Sequence, residues 1–102
     1  MAKYDKIMKN TFESGNVRDA LVFLTTCVRN AFPDFNFRGI ELVRLVTNRK
    51  VIEGKSWNHN FIIRYGEADG APVWQVSCHR FSHGESADKS ALLNADTLEL
   101  IK

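Results

Sequence analysis

The segment 58–81, NHNFIIRYGEADGAPVWQVSCHRF, decides the fold. Aromatic and β-branched residues fill both of its arms, and the stretch between them, 66–72, carries two glycines and a proline. Side chains of the first kind suit a pleated, half-buried surface, and connectors of the second kind reverse the chain. The segment therefore reads as an antiparallel hairpin with arms 58–65 and 73–81 and with 66–72 as its loop.

Setting Tyr65 opposite Trp74 brings Ile63 to Val76, Phe61 to Cys78 and His59 to Arg80. Alternation along each arm sends Arg64 and Gln75, Ile62 and Ser77, Asn60 and His79, and Asn58 and Phe81 to the other side. The first face is expected to meet a core and the second, mostly polar, to stay open. Moving one arm by one residue would exchange its faces, but sequence neighbours would still point apart.

Working upstream, Tyr4, Ile7, Met8 and Phe12 recur at helical spacing, which predicts a short amphipathic helix over 4–13. Ser14-Gly15-Asn16 breaks it. Asn16 followed by Asp19 resembles a capping box and opens a second helix, whose stripe is Val17, Leu21, Leu24, Cys27 or Val28, and Ala31. Pro33 ends that helix, because the residue before a proline resists αR geometry. Phe35 and Phe37 are expected to pin the helix end to the sheet, 40–46 reads as a strand, and 47–50 as a turn from which Val51 and Ile52 return.

Downstream, 82–86 reads as a loop, 87–93 as a short helix capped by Ser86, and 97–101 as a last strand or a continuation of that helix. The expectation is a single α+β domain over residues 1–102. Its two N-terminal helices pack on one face of a mostly antiparallel sheet of about four strands, completed by a C-terminal strand or short helix.

Composition limits what such a domain does. The chain has 102 residues, 44% hydrophobic and 25% charged, as expected of one ordinary packed domain. Its longest strictly apolar run is 20–24, far below the ~20 residues of a membrane-spanning helix. Lys3, Tyr4, Asp5 and Lys6 stand where a secretory signal needs an apolar stretch. Cys27 and Cys78 lie among apolar neighbours without metal-type spacing and read as buried free thiols, so a reducing, cytoplasmic setting is expected. The net charge of +2 conceals an asymmetry: residues 1–64 carry +5 and residues 65–102 carry −3.

Catalytic parts are scattered. His79 and His83 are four apart, but on a strand end running into a loop rather than on a helix, and nothing resembles HExxH or paired CxxC spacing. Cys78 and His79 point to opposite sides of one strand, a poor arrangement for a nucleophilic dyad. His59, Ser77, Arg80 and Glu85 complete the inventory for a small hydrolase with a His-containing site, the third reading. No phosphate-binding glycine motif occurs, and no cofactor or metal is expected.

Two binding classes rank above catalysis. Arg38, Arg44, Arg49, Lys50, Lys55 and Arg64 cluster within 38–64 near Trp57, a set able to contact phosphates and stack a base. The sequence pI of about 8.7 falls short of the ~9 typical of nucleic-acid domains, and a solvated sheet edge explains the same charges. By elimination the leading reading is a small non-enzymatic binding or regulatory protein, an inhibitor or accessory factor acting through a protein–protein interface. Its candidate contacts are Trp57, Asn60, Arg64, Gln75, His79, Arg80 and Phe81, since Trp and Arg are enriched at binding hot spots. A protein partner is expected first, nucleic acid second; self-association is compatible with either, and no membrane partner is expected.

Overall fold

A computed structural model describes residues 4–35, 39–56, 59–80 and 89–101. Helices α1 (Asp5–Phe12) and α2 (Val17–Ala31) precede five strands, β1 (Glu41–Val46), β2 (Val51–Ser56), β3 (His59–Ala68), β4 (Ala71–Arg80) and β5 (Lys89–Asn94). The strands form one antiparallel sheet in the order β1-β2-β3-β4-β5. The fold is α+β as expected, with five strands where about four were anticipated.

Asn16 caps α2, its Oδ1 accepting the Asp19 N–H at 3.0 Å. The reciprocal half of a capping box is replaced by a tertiary bond: the Asp19 carboxylate accepts from Asn10 Nδ2 at 2.9 Å, which ties α1 to α2. Along α2 the buried stripe is Ala20, Phe23, Leu24, Cys27, Val28 and Ala31. Val17, expected to begin that stripe, is 60% exposed, because the stripe starts one turn further along. The helix packs against all five strands.

The central hairpin has the anticipated register, with Tyr65 opposite Trp74, Ile63 opposite Val76, Phe61 opposite Cys78 and His59 opposite Arg80. Its loop is a correction. The strands run on to Ala68 and Ala71, and Asp69 (φ +53°) and Gly70 (φ +79°) alone turn the chain. Two consecutive positive φ values are what a type I′ turn demands, and Asp-Gly supplies them. The two arms therefore pair over ten residues each.

Trp74 anchors the helix side of the sheet. It is fully buried, stacked on Phe12 at 5.5 Å and met edge-on by Phe23 at 5.0 Å and Tyr65 at 5.3 Å. Tyr65 itself stays 38% exposed at the margin of this cluster. At the opposite end of the sheet Phe35 packs edge-on to Phe61 and His59, as expected of it; Phe37 lies outside the described residues.

The C-terminal expectation of a helix over 87–93 is overturned for the described residues. Lys89–Asn94 is β5, with Ala91 and Leu93 buried opposite Val76 and Trp74. A free edge on β4 offers a full hydrogen-bond ladder and a site for two apolar side chains, which outweighs a weak helical preference in six residues. Nor is 97–101 a strand: it closes a tight turn and makes one bridge, Leu100 to Leu93. Asn94 Oδ1 accepts the N–H groups of Asp96 at 2.8 Å and Thr97 at 3.1 Å. Leu98 then adopts φ +59° while fully buried. Such a conformation is costly for a bulky residue and persists only where surroundings over-determine it. Its N–H donates to the Asn94 carbonyl at 2.8 Å, and its own carbonyl accepts from Asn30 Nδ2 at 2.9 Å.

Gly54 is where α2 and the sheet come closest. A Cβ built there would lie 2.5 Å from Leu24 Cδ2, 2.6 Å from an Ile40 methyl and 2.9 Å from the Glu41 carbonyl oxygen. Gly54→Ala is expected to lower unfolding free energy by about 1–3 kcal/mol through overpacking, and Asn30→Ala by about 1 kcal/mol through loss of the Leu98 bond. Urea titration followed by circular dichroism reads both.

Candidate binding surface

Helices cover one side of the sheet, and among the described residues no helix covers the other. Register assigns side chains to that second face in successive rows. Arg44, Glu53, Ile62, Ser77 and Ser90 cross all five strands; Val46, Val51, Arg64, Gln75 and Leu92 form a parallel row; Glu41, Lys55, Asn60 and His79 form a third, and Gly66, Val73 and Asn94 a fourth. Val46, Val51, Ile62 and Leu92 are half-buried, while Arg44, Lys55, Arg64, Gln75 and Ser90 are exposed. Val46, Val51 and Ile62 run diagonally across β1, β2 and β3, and Arg64 and Gln75 separate them from Leu92 on β5.

Glu53 organises the charges of this face. Its carboxylate accepts from Asn60 Nδ2 at 2.8 Å and pairs with Arg44 Nε at 3.4 Å. Lys55 pairs with Glu41 at 4.0 Å. These solvent-facing pairs contribute little stability and set charges of opposite sign side by side along the β1–β2 side of the face.

The candidates drawn from the sequence divide between two faces. Asn60, Arg64, Gln75 and His79 stand together on the open one. Arg80 belongs to the helix side, opposite His59, where with Phe35, Cys78 and Lys89 it lines a pocket of about 390 Å³. Trp57 and Phe81 lie outside the described residues, as do His83, Glu85 and Arg38.

The basic group of the nucleic-acid reading is also dispersed. Arg44 and Lys55 face acidic partners on the open face, whereas Lys50 sits in the β1–β2 turn at φ +52° with Nζ 4.6 Å from the Tyr65 ring centroid. Arg49 is exposed in the same turn and Arg64 projects from the middle of the open face. The open face bears no aromatic side chain among its described residues, so it offers no described platform on which a base would stack.

Catalytic geometry is equally sparse. Cys78 and His79 do point to opposite faces, one buried in the core and one on the open sheet, and His59 and His79 likewise lie on different sides. No group of three or more His, Cys, Asp or Glu side chains among the described residues is arranged to hold a metal.

Sequence reasoning placed Ile62 on the open face but missed Val46, Val51, Leu92 and Glu53. The signal for three of them was present: a turn at 47–50 implies that Val46 and Val51 pair, and Glu53 then follows Val51 on the same face by alternation. Leu92 was hidden by the helical reading of its segment.

Burial decides the thiol chemistry. Cys27 is enclosed in the core, and desolvation pushes its thiol well above the ordinary value, because a thiolate there would lose its hydration. The sign follows directly: the neutral thiol's contribution to stability is complete below the ordinary value of 9.0 and is lost as pH rises above it. Cys78 is 1% exposed. Both thiols are expected to resist a disulfide-exchange reagent in the native protein at about pH 8 and to react at once in denaturant. Rapid native labelling of either would contradict the packing described.

Comparison of the chain with protein-family models, with curated proteins and with solved structures returns no match.

Proposed function

We propose that this protein is a small non-enzymatic binding protein that presents its open sheet face to a protein partner, acting as an inhibitor or accessory factor. The observation that carries this reading is the uncovered face itself, where half-buried Val46, Val51 and Ile62 run diagonally across β1, β2 and β3 beside Arg44, Glu53 and Arg64, with Leu92 apart on β5 beyond Gln75. Apolar side chains bordered by charged ones are common in protein interfaces. The face's charges are set in pairs of opposite sign along one flank, which suits a partner surface of matching pattern better than a uniformly negative phosphate backbone. The burial of Cys27 and Cys78 supports action in a reducing, cytoplasmic setting.

The test is affinity capture from source cells at physiological salt, comparing the wild type with Ile62→Glu and Arg64→Glu. A specific protein should co-purify, and Ile62→Glu should weaken its capture roughly tenfold or more with the strand circular dichroism unchanged. Undiminished capture by both variants would remove the open face from the interaction. Binding to random-sequence DNA or RNA that declines steeply between low and physiological salt would favour the nucleic-acid reading instead.

A further inference from the structure

The two outer strands of the sheet end differently. The outer edge of β5 is occupied by the chain's own C-terminal residues: the Asn94 N–H donates to the Glu99 carbonyl at 2.9 Å, and the Ile101 N–H to the Leu92 carbonyl at 2.8 Å. β1 has a described strand on one side only. Its outward N–H and C=O groups form a row that another extended backbone is best able to pair. Two exposed apolar side chains flank this row, Val43 at 50% on β1 and Val22 at 45% on α2. Between α2 and the start of β1 runs a groove of about 390 Å³, lined in part by Leu21, Val22, Thr25 and Ile40.

We propose that the occupant of this edge is β1 of a second copy, the two strands pairing antiparallel about a two-fold axis into one ten-stranded sheet. Charge pattern selects the register. With residue 41 of each copy opposite residue 44 of the other, Glu41 meets Arg44 twice by symmetry. Within each chain Glu41 already pairs with Lys55 and Arg44 with Glu53. The interface therefore joins two existing pairs into a run of alternating sign, Lys55, Glu41, Arg44 and Glu53, on each side of the axis.

The β1 bulge makes this register consistent with the faces of the sheet. Positions three apart on a regular strand point in opposite directions, but the register between β1 and β2 slips between Leu42 and Arg44, so Glu41 and Arg44 share the open face. In the same register Leu45 of each copy stands opposite Ile40 of the other on the helix side, where the groove beside α2 receives it. A bulge and charged residues commonly protect an edge from pairing. Here one acid and one base form a self-complementary set, unlike a row of lysines. The dimer engages Glu41 and Arg44 at the border of each open face and leaves the side chains of β2 to β5 on that face exposed, so this proposal stands apart from the protein-partner reading and survives its failure.

Sedimentation velocity on the wild type from roughly 5 µM to roughly 500 µM is the first measurement, since a short edge interface associates weakly. The mass should rise towards twice the 11.6 kDa of one chain. Hydrogen exchange at the two concentrations should show added protection confined to 41–46 and the facing residues of α2. Glu41→Arg and Arg44→Glu should each be monomeric at the high concentration, the first setting Arg against Arg and the second Glu against Glu. An equimolar mixture of the two variants should dimerise, because each Arg then meets a Glu. A wild type that stays monomeric throughout, protection on another surface, or single variants that associate as the wild type does would each overturn the proposal; the wild-type arms require no variant to fold.

Discussion

Ten successive residue pairs between β3 and β4, turned by Asp69 and Gly70, set the direction of every other side chain in the sheet. Because alternation along a strand is strict, the pairing of Tyr65 with Trp74 at one end and His59 with Arg80 at the other assigns each intervening residue to a face. β2 and β5 then add to the two outer edges of this hairpin, and each inherits its faces from the strand it joins. A positive φ at both turn residues is the local condition on which that inheritance depends.

On the helix side, the consequence is a continuous apolar surface that α2 crosses. Trp74, Phe23 and Phe12 fill the gap between layers at one end, and at Gly54 the missing side chain lets Leu24 descend onto β2. Leu98 closes the core from the C-terminal turn, held in left-handed geometry by Asn94 and Asn30. The cost of that geometry is offset by burying a whole leucine side chain, worth about 1.5–3 kcal/mol. The indole N–H of Trp74 is buried without a hydrogen-bond partner among the described residues, a penalty accepted in exchange for its aromatic packing.

On the other side lies the open face of the sheet. The described histidines are divided between faces, the two thiols are enclosed, and two of the basic side chains face carboxylates of their own chain. The surface carries a diagonal of half-buried Val46, Val51 and Ile62, charge pairs on β1 and β2, and one strand edge with a self-complementary pair of charges. The bulge in β1 that aligns Glu41 with Arg44 on the same face shapes its border.

The two helices, the central hairpin with its register, and the burial of both cysteines were legible in the sequence, because each rests on local periodicity or on apolar neighbours. Asn16, Pro33 and the aromatic arms of 58–81 act within a few residues of themselves. The seven-residue loop was misjudged because Gly66 and Pro72 mimic turn chemistry, although both fit at paired positions of extended strands. Residues 89–94 were misread for a different reason: a segment of weak preference takes the conformation of whatever edge it meets, and only the assembled sheet supplies the edge of β4. Arg80 and His79 stand on opposite faces, as alternation along the strand required, so the candidate contacts that include both span two surfaces. Sequence thus determined the two helices and the faces of the central hairpin, whose arms pair across one short turn, whereas tertiary structure alone decided the strand at 89–94 and which side chains of β1, β2 and β5 join those faces, because that pairing depends on the assembled sheet.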